Sequence, residues 1–223
     1  VRPASYREIN NFYTATVYEK GAELVRMLHT LLGEADFRRG LDAYFDAHDG
    51  GAATVEDLVA AMAQASGRDL DQFLRWWDQP GTPRIEVEQA FDADSGQYTL
   101  TLRQHGADPA RPLHIPFALA LYDATGARIA ALPDTDAVQR EGIVELRRHE
   151  HVLRWRGLDA PPLPAFLHGL SAPVRLDIDY SPAQLARLAQ VERDPLTRWE
   201  ALQRLSRLAV LGSLPEARAA LVQ

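Results

Sequence analysis

The residues with the clearest capacity for chemistry sit near the start of the chain: Asn10, Tyr13, Tyr18, Glu19 and Lys20. A phenol has a reference pKa of about 10, so at neutral pH it is protonated and can donate a hydrogen bond to an oxyanion developing on a reacting carbonyl. Tyr18 offers such a donor, and losing one typically costs about 10²–10³ in rate, roughly 2.7–4 kcal/mol. Taken by itself, a tyrosine near a helix start is more often a packing residue. Asn10 and Tyr13 lie three apart and share a face if the helix extends back to them. Glu19 and Lys20 can form local ion pairs that orient the helix, with a solvated face as the simpler reading of Glu19, and Gly21 permits close helix packing. Of the 24 lysine and arginine residues, Lys20 is the only lysine. A GC-rich genome that drives lysine codons toward arginine accounts for the bias. The survivor nevertheless falls two residues from Tyr18, and arginine does not replace a compact ammonium where space is tight.

Other chemistries find less support. His149 and His151 point to one face if they lie on a strand and could converge on a cation, but they diverge on a helix, and no third ligand is near them in sequence. His29, His105, His114 and His168 are scattered singly. Asp92 and Asp94 lack the twelve-residue pattern and terminal glutamate of a calcium loop. There is no glycine-rich phosphate loop, no Gly-x-Ser-x-Gly elbow, no cysteine and no His-Glu-x-x-His. Zero cysteines exclude disulfides and thiolate metal sites, which fits a cytoplasmic protein.

The elements that must position these groups follow from periodicity. Val17, Ala22, Leu24, Val25, Leu28, Leu31 and Leu32 recur at helical spacing up to Gly33. A second helix runs from about Asp36 to His48 and buries Phe37, Leu41, Tyr44 and Phe45. Thr54-Val55-Glu56-Asp57 resembles a capping box opening a third helix that ends near Gly67. Asp69 to Gln72 opens a fourth, carrying Phe73, Leu74, Trp76 and Trp77. Pro80-Gly81-Thr82-Pro83 breaks the helical pattern and marks a boundary. From Arg84 to about Tyr180 the period becomes two, with a hairpin across Asp92 to Gly96 and strands at Ile115–Tyr122, Gly142–Leu146, His151–Trp155 and Val174–Tyr180. This reads as a β-sandwich. After Ser181-Pro182 helical spacing returns through Leu185, Leu188, Trp199, Leu202, Leu205 and Leu208.

A chain of 223 residues with 46% hydrophobic and 25% charged residues is ordinary for a soluble multidomain α+β protein. A net charge of -7 leaves no electrostatic footprint for nucleic acid. No apolar run approaches the roughly 20 residues that span a bilayer, so no membrane partner is expected.

The run from Asn10 through Asn11, Phe12, Tyr13, Tyr18, Glu19, Lys20, Gly21 and Ala22 to Glu23 resembles the Tyr-x-Lys-Gly-Ala segment of the M1 family of zinc aminopeptidases. The Asn-Asn-Phe-Tyr-Thr context is similar to the family's bacterial aminopeptidase N branch. The likeness is most specific from Asn10 to Glu34 and from Tyr44 to Gly50, good through Trp76 to Pro83, and weak in the sandwich and final helices. It implies three parts: the helical C-terminal part of a thermolysin-like catalytic domain over 1–83, a β-sandwich over 84–181, and the first helices of an α-superhelical domain over 182–223. In the mechanism it implies, a zinc-bound water assisted by a glutamate attacks the scissile carbonyl, and Tyr18 shares the charge of the tetrahedral intermediate with the metal. Tyr13 and Asn10 then lie beside the pocket for the substrate's first side chain, with simple packing as the alternative for Tyr13.

The family's zinc ligands, glutamate base and Gly-x-Met-Glu-Asn amine-binding segment match nothing here, so zinc belongs to the parent enzyme with its ligands outside this chain. Both ends read as cut: Val1 is not Met, and Pro215 to Gln223 reads as a helix that stops without a cap. The expected partners are peptide substrates, from whose N-termini the parent releases amino acids, and the remainder of the parent polypeptide. The piece by itself is expected to be inactive. The rival reading is a non-catalytic scaffold derived from the same family, with the sandwich and helices turned to partner binding. A relative with a different hydrolase activity ranks below both.

Overall fold

The computed structural model describes residues 13–106, 108–140 and 142–211, together with Ser5, Arg7, Glu8 and Asn10. Asn11 and Phe12 of the N-terminal run, and the helix read from Pro215 to Gln223, lie outside the described residues.

The first helical segment departs from the expected continuous helix. It begins with a π-helical turn, Thr16–Lys20, in which no residue is buried. It becomes regular only at α1 (Gly21–Leu32), which buries Leu24, Met27, Leu28, Leu31 and Leu32 along one stripe. Gly33, at φ +78°, ends α1 and starts α2 (Glu34–His48). The only buried residue of α2 is Gly40. A Cβ there would lie 2.4 Å from Met62 Sδ and 3.1 Å from Met62 Cα, so glycine is what lets α2 approach α3 (Val55–Ser66). Phe37 and Leu41 pack on the core as expected. Phe45, eight residues from Phe37 and so about 80° around the axis, sits on the rim and is exposed. The capping box forms at Thr54 and Asp57, and Gly67 closes α3 in the left-handed region.

The expected fourth helix is instead a 3₁₀ turn, Asp71–Leu74, running into the single turn α4 (Arg75–Asp78). Pro80 and Pro83 leave no length for more, yet Phe73, Trp76 and Trp77 are buried as the aromatic run requires.

Among the described residues, eight strands form two four-stranded sheets. One has the order β6 (Glu150–Trp155), β2 (Gln97–His105), β1 (Arg84–Asp92), β8 (Arg175–Asp177). The other has β4 (Gln139–Arg140), β5 (Ile143–Leu146), β3 (Ile115–Tyr122), β7 (Leu163–Phe166). The hairpin pairs Asp92 with Gln97. Asp92 forms it, accepting from Asp94 N at 3.0 Å and Ser95 Oγ at 2.5 Å, which is the turn chemistry of an aspartate. Every residue of β3 is buried because both its faces are covered. β7 carries no periodic signal in the sequence, and its pairing with β3 is wholly tertiary. The strand read from Val174 to Tyr180 shrinks to β8, three residues parallel to β1.

One hydrophobic core runs without a break from α1, α3 and the Phe73–Trp77 segment into both sheets. A second, smaller core joins Ala120, Tyr122 and Ala165 to α5 (Pro182–Val191) and α6 (Pro195–Val210). The helices begin at Ser181, in a capping box with Gln184, and at Asp194, which accepts from Thr197 N at 2.8 Å.

Candidate functional site around Tyr18

Tyr18 projects from the π turn with 61% of its surface exposed. Its backbone is held on both sides: Tyr18 N donates to Thr14 O at 3.2 Å, and its carbonyl faces the Gly21 N–H. Among the described residues no hydrogen bond engages its hydroxyl, which leaves the phenol O–H available to a substrate oxygen. The ring of Tyr13 lies beside it, centroids 6.3 Å apart and planes at 28°. The structure therefore brings Tyr13 and Tyr18 together, but not through a shared helix face, since Tyr13 and Thr14 precede the helical turn. Asn10 is exposed, and the helix does not reach back to join it to Tyr13.

Lys20 does something the sequence did not indicate. Its ammonium donates to the carbonyls of Gln79 at 3.0 Å and Gly81 at 3.3 Å, and lies 5.9 Å from the centre of the Trp76 ring. Burial lowers its pKa from the ordinary lysine value. The receiving segment is itself rooted: Trp76 Nε1 donates to His114 O at 2.8 Å, and Gln79 Nε2 to Arg111 O at 2.7 Å. Glu19 is exposed on the outer side of the turn.

Two buried glutamates that the sequence reading passed over hold the helices to the sandwich. Glu145, on β5, accepts from Arg68 and meets His114 Nε2 at 2.8 Å, with Arg147 Nε in an ion pair at 3.4 Å, while Arg68 also reaches the carbonyl of Leu31. Burial raises its pKa, but the hydrogen bonds and charges of His114 and Arg68 outweigh that and hold the carboxyl below its ordinary range. Burial in turn pushes the His114 ring down, toward the neutral form. Glu192, just past α5, accepts from Tyr122 OH at 2.9 Å, His168 Nε2 at 2.9 Å, Arg193 N at 2.6 Å and Asp194 N at 2.9 Å. Burial opposes its ionisation, and these donors overcome it, bringing its pKa to about 2. The available signal for Glu145 was a lone charge inside the apolar run Ile143-Val144-Glu145-Leu146.

The histidine pair is not brought together as a cation site. His151 is buried on β6 and its Nε2 accepts from Arg147 N at 2.9 Å and Arg148 N at 3.1 Å, so the lone pair that a metal would need is already used. His149 is exposed and meets the ring of His105 edge to face at 5.7 Å. Among the described residues no group of three or more His, Cys, Asp or Glu side chains could hold a metal ion. None of the described helices is long and apolar enough to cross a membrane.

Comparison with known proteins places this geometry in context. The peptidase family M1 domain matches residues 1–77, and a domain of unknown function with an Ig-like fold, DUF3458, matches residues 81–179. Aminopeptidase N of Escherichia coli (strain K12) is 43% identical over 210 residues, covering 92% of this chain and 24% of the relative. Aminopeptidase N of Caulobacter vibrioides is 45% identical over 216 residues, 95% of this chain and 24% of the relative. The crystal structure of Legionella pneumophila aminopeptidase A in complex with aspartic acid superposes with a TM-score of 0.85 at 29% identity, over 98% of this chain and 25% of that one. The chain thus spans about a quarter of the length of the relatives it matches.

Proposed function

The chain belongs to peptidase family M1, on its aminopeptidase N branch, and from that membership we propose that it supplies the oxyanion-stabilising hydroxyl, Tyr18, to an enzyme that removes amino acids from peptide N-termini. The carrying observation is the geometry of Tyr18, a phenol exposed on a turn whose backbone is fixed and whose O–H has no partner among the described residues. A donor held this way can hydrogen-bond a developing oxyanion without first breaking another bond, which is what makes preorganised donors effective. Tyr13, stacked on it, offers an aromatic wall beside the same point and suits the side chain of the residue being released. Asn10 is assigned to the same substrate-facing surface on its place in the motif.

The described residues do not fit zinc: no group of three or more His, Cys, Asp or Glu side chains among them could hold it. In this reading zinc belongs to the parent polypeptide, its ligands lie outside the described residues, and the chain by itself lacks activity. The division into 1–83, 84–181 and 182–223 accompanies the proposal, supported by the change from helices to strands at Arg84 and back at Pro182.

The test is Tyr18→Phe in the full polypeptide. Turnover should fall at least about tenfold with metal content unchanged, and wild-type turnover would remove Tyr18 from the mechanism.

A further inference from the structure

We infer that Lys20 is a positioning residue for Tyr18, fixing the π turn to the Gln79–Gly81 segment so that the phenol is held in one place. The inference rests on the role proposed for Tyr18 and adds to it the group that keeps the donor in register.

Thr16–Lys20 buries no side chain, so hydrophobic packing does not hold it in place. A π turn is also a less favourable conformation than the α-helix it replaces. One side-chain bond of the turn is local, from Val17 N to Thr14 Oγ1; among the described residues, the only hydrogen bonds from the turn to distant parts of the chain are the two made by Lys20 Nζ, to partners 59 and 61 residues away. Those partners belong to a segment that cannot easily shift. Trp76 is almost wholly buried and bonded to β3's approach through His114 O, and Gln79 is bonded to Arg111 O. Gly81, at φ +77°, turns the chain after Gln79. Lys20 therefore ties an exposed turn, otherwise held by its own backbone and its continuation into α1, to the Gln79–Gly81 segment.

The chemistry calls for an ammonium. Two carbonyl oxygens are served from one nitrogen, which also lies over the Trp76 ring in a cation–π contact. A guanidinium is planar and directs its donors in a fixed fork. It would have to displace either the Trp76 contact or one of the carbonyls. In a chain whose other Lys or Arg positions are all arginine, the one lysine sits at this contact.

The experiment is a double-mutant cycle in the full polypeptide, using Tyr18→Phe, Lys20→Met and the two together. Lys20→Met should lower kcat about tenfold with KM changed by less than about twofold. The double variant should be no slower than Tyr18→Phe, because once the hydroxyl is gone there is nothing left for Lys20 to position. If the two losses multiply, Lys20 acts on general stability and the inference is overturned. If Tyr18→Phe is slow and Lys20→Met turns over normally, the inference also fails while the role of Tyr18 stands. If Tyr18→Phe is itself normal, the role of Tyr18 falls and this inference with it. Should Lys20→Met fail to fold, Lys20→Gln and Lys20→Arg read the same cycle, and the arginine variant is expected to remain several-fold slow.

Discussion

Glu145 and Glu192 are both buried, both ionised, and each fastens the sandwich to helices on one side of it, yet they are satisfied in different ways. Glu145 draws on side chains from distant parts of the chain: Arg68 from the end of α3, and His114 and Arg147 from the sandwich. Glu192 draws on its immediate backbone neighbours, Arg193 N and Asp194 N, and adds Tyr122 and His168. The first is a knot of charges, in which removing one member strands the others. The second resembles a cap, most of whose donors can turn to water when the acceptor is lost. A buried charge is therefore not one kind of fastening, and its cost of removal depends on who its partners are.

Glu145→Ala should break the contrast open most widely. It strips Arg68 and His114 of their shared carboxylate and should cost about 3–5 kcal/mol, measured by denaturant unfolding. Combining Glu145→Leu with Arg68→Met should recover part of that loss, whereas no recovery would mean that the pair contributes far more than its mutual neutralisation. A smaller effect is expected from acid at the other seam. The Glu192 carboxyl is held at about 2, below its ordinary 4.5, so its contribution is complete above the unfolded value and is lost as pH falls from about 4.5 through about 2. That contribution is of order 2–3 kcal/mol. Unfolding followed across this window should show a slope that Glu192→Gln flattens, and an equal slope in both would assign the acid sensitivity elsewhere. Least costly should be Tyr122→Phe, which removes one of several donors to Glu192 and should lower stability by about 1 kcal/mol. A loss as large as that of Glu145→Ala would erase the distinction between knot and cap.

Much of this was legible in the sequence wherever a local signal existed. The capping box at Thr54, the stop at Gly33, the hairpin at Asp92 and β3 at Ile115–Tyr122 each follow from a few neighbouring residues. What escaped were pairings made at a distance. β7 is too short and too proline-rich to signal itself, and it becomes a strand only because β3 offers it a partner. Phe45 was read into the core because helical spacing permits it, but close approach at Gly40 narrows the buried face and leaves it on the rim. At the candidate site, Tyr18 could be picked out from its motif. The anchoring of Lys20 could not, because carbonyl acceptors leave no mark on residue type.

The π turn at Thr16–Lys20 also bears on how this segment can vary between relatives. A π turn takes more residues to complete a circuit than an α turn, so each side chain's direction depends on the residue count as well as on identity. Adding or removing a single residue would close the turn differently and carry the phenol of Tyr18 away from the Tyr13 ring, even with every remaining residue unchanged. In this chain the aim of the phenol is therefore set by the length of the segment as much as by its spelling.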